Sequence, residues 1–269
     1  MCSGWTRRLF LGSVVALAAP HVLLRAKDLS PFGCAWNGAS AEGNGIYSSS
    51  NNDVLDRGVI TEIKRISQFL PINPGIMYIY DASPNAFAVP ESMVPDTQGT
   101  VLLGLNLIDN EIFKLNRSGV AVAGICAHEC AHIFQFQSGS MQSLAGPTAA
   151  LIELHADYIA GMYLGRREGT HSKKDITDFA LTLFCHGDFQ FNEPGHHGTP
   201  LQRVMAMKEG YDVGHSGTEI MEGIRQGEDF VKRVAVQAET APDPTVLPGH
   251  GLPPAPTDSA ICRGYGDWR

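Results

Sequence analysis

The spacing of apolar and polar positions divides this chain into one helix, a few strands and then a run of helices. Val54, Leu55, Val59, Ile60, Ile63, Ile66 and Phe69 recur at intervals of three and four, which predicts an amphipathic helix over 54–70. Pro71 and Pro74 end it, because proline has no amide donor to continue the ladder. The β-branched and aromatic run 76–80 predicts a strand, and 85–89 and 100–105 predict two more. Residues 109–115 read as a short helix, and Ser118 caps a longer one running to Phe136. Residues 139–146 read as a loop, and Pro147 stands at the start of a helix ending near Arg166. Helices are also expected over 175–185, 200–210 and 218–238. Residues 37–53 are rich in Gly, Ser and Asn and read as a connector. This order, with no internal repeat, predicts an α+β fold that is mainly helical.

Composition narrows the partners but not the activity. Lys and Arg number 20 against 28 Asp and Glu, a net charge of -8. A nucleic-acid partner calls for a basic surface, so that class is set aside. No interior stretch reaches the roughly 18 apolar residues of a membrane span.

The two ends read differently from the middle. Thr6-Arg7-Arg8-Leu9-Phe10-Leu11-Gly12 precedes a mild apolar run over 13–19. Paired arginines followed by a short apolar core resemble a bacterial twin-arginine export signal. Ala16-Leu17-Ala18 offers one cleavage site and Leu24-Arg25-Ala26 a second. The expected organisation is an export signal over 1–26, one domain over 27–238 and a proline-rich tail over 239–269, in a periplasmic or secreted protein. Export bears on the six cysteines, of which Cys2 falls in the signal. An oxidising compartment permits a bridge. Cys34 with Cys262 would tie down both ends, and buried free thiols are the alternative.

The candidate chemistry begins at Ala127-His128-Glu129-Cys130-Ala131-His132. Four residues along a helix advance about 6 Å and about one turn. His128 and His132 therefore share a face and can share one metal ion, with Glu129 beside them. This is the His-Glu-x-x-His arrangement of zinc peptidases. The surrounding Ala, Ile, Val and Phe residues make burial of these polar groups costly unless they have a task. A hydrolytic zinc site needs a third protein ligand and an open position. Glu153 and Asp157, on the next long helix, are four apart and share a face. Glu153 is the expected third ligand, with His155 a rival on another face. Asp157 is expected to take a hydrogen bond from a ligand histidine and fix its tautomer. Cys130 lies within the motif, where a thiolate can compete for a metal. It sits off the metal face and is expected to be a packed thiol.

These segments together resemble the gluzincin zinc metallopeptidases, in particular the small bacterial neutral ones. The resemblance rests on His-Glu-Cys-Ala-His and on Glu-Leu-His-Ala-Asp-Tyr-Ile-Ala-Gly at 153–161. It also rests on Ser-Pro-Asn-Ala-Phe-Ala at 83–88 and His-Gly-Thr-Pro-Leu-Gln-Arg at 197–203. It spans about residues 55–215. It implies a zincin-like domain holding one Zn2+ on His128, His132 and Glu153, with Glu129 as general base. It implies that the strand at 85–89 is a sheet edge that holds an extended peptide substrate. It suggests His197 as a donor to the oxyanion, the alternative being a loop histidine that caps the helix starting near Pro200. Arg203 is expected to pair with Asp157 or near Glu153, or to lie in a surface salt bridge. The expected activity is zinc-dependent hydrolysis of peptide or protein substrates. The alternative is a non-catalytic zinc-binding or interaction protein on the same scaffold.

Overall fold

A computed structural model describes residues 45–81, 85–114, 119–167, 169, 172–187 and 195–240. The export motif, Cys34, Cys262, the Ser118 cap and the proline-rich stretch from residue 241 lie outside the described residues. The fold is α+β and mainly helical, as the patterning predicts. β1 (Ile46–Tyr47) and α1 (Asp53–Phe69) are followed by β2 (Gly75–Ile79), β3 (Ala86–Val89) and β4 (Thr100–Gly104). Helices α2 (Leu105–Ile108), α3 (Gly119–Ser138), α4 (Ser140–Ser143) and α5 (Ala150–Arg166) follow, with a wide π-type turn at Asp109–Lys114. α6 (Lys173–His186), α7 (Pro200–His215) and α8 (Ile220–Thr240) complete the chain.

The strands form one mixed sheet in the order β1-β2-β4-β3. β2 runs parallel to β4, and β3 is antiparallel to β4 with Ala88 opposite Val101. β3 is therefore an edge strand. Its side chains alternate between two apolar layers. Ala86 and Ala88 join the main core with the helices, whereas Phe87 and Val89 join Ile79 and Leu102 on the other face. α1 is capped by the Asn52 side chain, which accepts from the amides of Val54 and Leu55. It buries Val59, Ile63, Ile66 and Phe69 as its spacing predicts. α3 is different, because every residue from Ala121 to Gln135 is buried. It crosses the core in contact with α1, α5, α6, β3 and β4.

α5 and α7 touch backbone to backbone. A Cβ placed on Gly161 would stand 2.0 Å from the Met207 carbonyl oxygen, and one on Gly165 would stand 2.1 Å from that of Tyr211. On the facing helix, a Cβ on Gly210 would stand 1.9 Å from the Tyr158 oxygen, and one on Gly214 would stand 2.1 Å from that of Met162. The glycines are four apart on each helix, so each pair makes one smooth face.

Several boundaries differ from the patterning, and α8 runs to Thr240, two residues past the expected end of the domain. The connector before α1 contains β1, whose two residues are too few to show an alternation. The expected loop at 139–146 contains the single turn α4. α5 begins at Ala150 rather than Pro147, since residues 147–149 form a bend. α7 runs on to His215 because Gly210, which reads as a stop signal, is a contact point inside the helix. No described helix is long and apolar enough to cross a membrane.

One substitution should have opposite signs at two helical glycines. Gly58 in α1 has open space around its missing Cβ, so Gly58→Ala should stabilise by ~0.4–1 kcal/mol. Gly161→Ala must push α7 away and should destabilise by about 3 kcal/mol, the upper part of the overpacking range. Urea denaturation of the two variants beside the parent protein measures both.

Candidate metal centre

Three helices supply the site. α3 carries His128, Glu129 and His132, α5 carries Glu153 and Asp157, and α7 carries Arg203. All six side chains are buried. Among the described residues, His128, His132 and Glu153 form the one group of His, Cys, Asp or Glu whose ligand atoms all lie within 4.8 Å of one another. The two Nε2 atoms are 3.0 Å apart. Glu153 Oε2 is 3.4 Å from His128 Nε2, and Oε1 is 3.5 Å from His132 Nε2. Ligand atoms about 2.1 Å from a tetrahedral ion stand about 3.4 Å apart, so the spacing fits a metal ion.

The hydrogen bonds behind the two rings give the same answer. His128 Nδ1 lies 2.9 Å from Asp157 Oδ1. Arg203 grips that carboxylate with two bonds, Nε to Oδ2 at 2.7 Å and Nη2 to Oδ1 at 2.9 Å. Burial pushes the Asp157 carboxyl up, but the guanidinium outweighs it and holds the group ionised. An ionised carboxylate only accepts, so Nδ1 of His128 donates and its Nε2 is left to bind. His132 Nδ1 faces the Gln135 Oε1 at 2.7 Å. Two Nε2 lone pairs and a carboxylate thus converge on one point. Such an arrangement is repulsive unless a proton or a cation stands among them.

The acidities follow from this crowding. Burial lowers the pKa of His128, but Asp157 and then Glu153 more than reverse that and raise it to about 9. Burial takes His132 down to about 4. Glu153 is pushed up by burial, but His132 and His128 hold it well below the usual carboxylate range. Glu129 is raised to about 8, chiefly by burial, while His128 pulls it down and Glu153 pushes it up. The Ala88 amide of the edge strand also favours its ionised form. A proton on His128 and one on Glu129 therefore leave the buried group neutral, with Arg203 and His128 balancing Asp157 and Glu153.

The remaining candidates fall into place around this centre. Arg203 pairs with Asp157 and stands 3.9 Å from Glu153. It is fully buried, which excludes the surface salt bridge. His155 is not a ligand, since its Nε2 faces the Ile224 carbonyl at 3.2 Å. His197, half-buried in the loop before α7, is near enough for its charge to help hold Glu153 down. The cap of α7 is Thr199, whose hydroxyl accepts from the Gln202 amide, and not His197. Cys126 and Cys130 are free and buried. Burial raises the Cys130 thiol well above its usual value, so it stays protonated and packed. Cys185 is disulfide-bonded. Gln135 is the site residue that motif reading misses. Its one signal is a polar residue three positions after His132 in the apolar run Ile133-Phe134-Gln135-Phe136.

Comparison of the chain with protein-family models, curated proteins and solved structures returns no match. The functional reading therefore rests on the site itself.

Metal uptake should exchange protons for the ion. His128 must lose its Nε2 proton, and Glu129 ionises once a cation offsets Glu153. At pH 7 this amounts to release of about two protons, and apparent affinity falls as the pH drops further below about 9. Calorimetric titration in two buffers of different ionisation enthalpy counts the protons. A count of zero would show that the proton assignments are wrong.

Proposed function

We propose that the chain is a zinc-dependent peptidase. The observation that carries this reading is the convergence of two histidine Nε2 atoms and the Glu153 carboxylate, with the Glu129 carboxylate beside them. A donor set of two imidazoles and one carboxylate suits zinc and leaves a coordination position open. His128, His132 and Glu153 would hold the zinc ion, which would supply Lewis acidity to polarise a carbonyl and lower the pKa of a water towards about 7.

The chain's own residues then have distinct tasks. Asp157, held by Arg203, orients His128. Glu129 takes a proton from the attacking water as its oxygen bonds to the scissile carbonyl carbon. Glu129 then delivers that proton to the amide nitrogen as the C–N bond breaks, leaving a carboxylic acid and an amine. His197 donates a hydrogen bond to the oxyanion from the loop before α7. The β3 edge, whose Ala88 amide adjoins Glu129, receives the substrate as an added extended strand. The resemblance to gluzincins supports peptides or proteins as substrates, and the twin-arginine-type sequence at the N-terminus supports a periplasmic or secreted location.

A second reading draws on the burial of the site. His128 and His132 are 0% and 1% exposed, and Glu129 and Glu153 are each 1% exposed. Such enclosure favours a non-catalytic zinc-binding or interaction protein. Metal analysis beside a peptide-library assay, with and without chelator, separates the two. Glu129→Gln should keep stoichiometric metal and lower peptide hydrolysis by about 10²–10⁴-fold, the span of general-base catalysis. Full activity in that variant sinks the mechanism. Stoichiometric zinc in the parent protein with no cleavage selects the second reading.

A further inference from the structure

The Gln135 carboxamide stands between the candidate ligand His132 and the buried, non-liganding His155. Its Nε2 lies 2.9 Å from the Ile152 carbonyl and 3.1 Å from His155 Nδ1. Its Oε1 lies 2.7 Å from His132 Nδ1. At the far end, His155 Nε2 lies 3.2 Å from the Ile224 carbonyl on α8. Gln135, His132 and His155 are all buried.

Two backbone carbonyls fix the direction of every bond in this chain. The Ile152 carbonyl can only accept, so the amide NH2 of Gln135 faces it. The reversed amide would set two oxygens against each other in a buried site. Oε1 then faces His132, whose Nδ1 must donate. The second N–H of Gln135 faces His155, whose Nδ1 must accept. His155 is then protonated on Nε2, as the Ile224 carbonyl also demands. All donors and acceptors are used once and agree.

From this we infer that Gln135 is a positioning residue. It holds His132 as the Nδ1–H tautomer with Nε2 free for a metal, and it anchors that ring through His155 to α8. The Ile152 carbonyl of α5 fixes the amide from one side, and α8 fixes it from the other. The same α8 is tied to α4, where Ser140 and Ser143 donate to Glu228 at 2.7 and 3.0 Å. The inference builds on the metal-site reading, but the tautomers are properties of the protein alone.

The test begins with long-range ¹H–¹⁵N correlation spectra of the imidazoles in the metal-free parent protein. His132 should be the Nδ1–H tautomer and His155 the Nε2–H tautomer. An Nε2–H tautomer of His132, or averaging between forms, overturns the inference. Zinc affinity is then measured by competition with a chromophoric chelator. Gln135→Leu removes the acceptor and should weaken zinc by about 10–100-fold, the usual effect of losing a ligand's hydrogen-bond partner. Gln135→Glu keeps an acceptor for His132 while losing both donors, and should restore most of that affinity. A folded Gln135→Leu protein with the parent's zinc affinity overturns the inference. Expected tautomers in a parent protein that binds no zinc would leave Gln135's placement standing and instead refute the zinc reading.

Discussion

The backbone contact between α5 and α7 is the constraint on which the site depends. Without the facing glycines, side chains would hold the two helices apart. A guanidinium on α7 could not then lie against a carboxylate on α5. Because Gly161 and Gly165 meet the α7 backbone at Met207 and Tyr211, and Gly210 and Gly214 meet the α5 backbone at Tyr158 and Met162, Arg203 reaches Asp157 with both bonds of its fork. Asp157 is then ionised, His128 is oriented, and the metal-facing nitrogen is exposed to its neighbours. The order of causes runs from four missing side chains to the tautomer of one imidazole.

The site also shows how a helix buried on every side tolerates three ionisable residues. A single unpaired charge in α3 would cost several kcal/mol. Each polar group here has a partner: His128 has Asp157 of α5, His132 has Gln135 one turn along its own helix, and Glu153 of α5 has both histidines. For Glu129, burial outweighs the help of His128 and the Ala88 amide and makes it hold its proton. A group whose proton is so readily exchanged is suited to proton transfer. A dication in the centre would bring the six side chains and the ion to electrical balance with Glu129 ionised.

Much of this was legible in the sequence, and the remainder was illegible for physical reasons. The period of α1, the alternation of β3 and the shared faces of His128 with His132 and of Glu153 with Asp157 are local geometry, so spacing reveals them. The pairing of Arg203 with Asp157 was one of three open options, and burial decides among them. The length of α7 was hidden because a glycine that stops a helix and one that admits a neighbour are the same letter. β1 is too short to carry a pattern. Gln135 was hard to read because its role is defined by a histidine twenty positions on and by the Ile152 carbonyl of α5. Neither relation has a fixed spacing.

The dispersal of the site over α3, α5 and α7 has a consequence for how the chain folds. Residues 157 and 203 belong to different helices separated by α6. A partly folded chain that pairs α3 with α5 before α7 arrives would bury Asp157 without its guanidinium. That intermediate is penalised, so α5 has little reason to settle until α7 docks with it. The acidic and basic residues of the centre therefore act as a checkpoint on assembly, favouring chains in which the last helices close together.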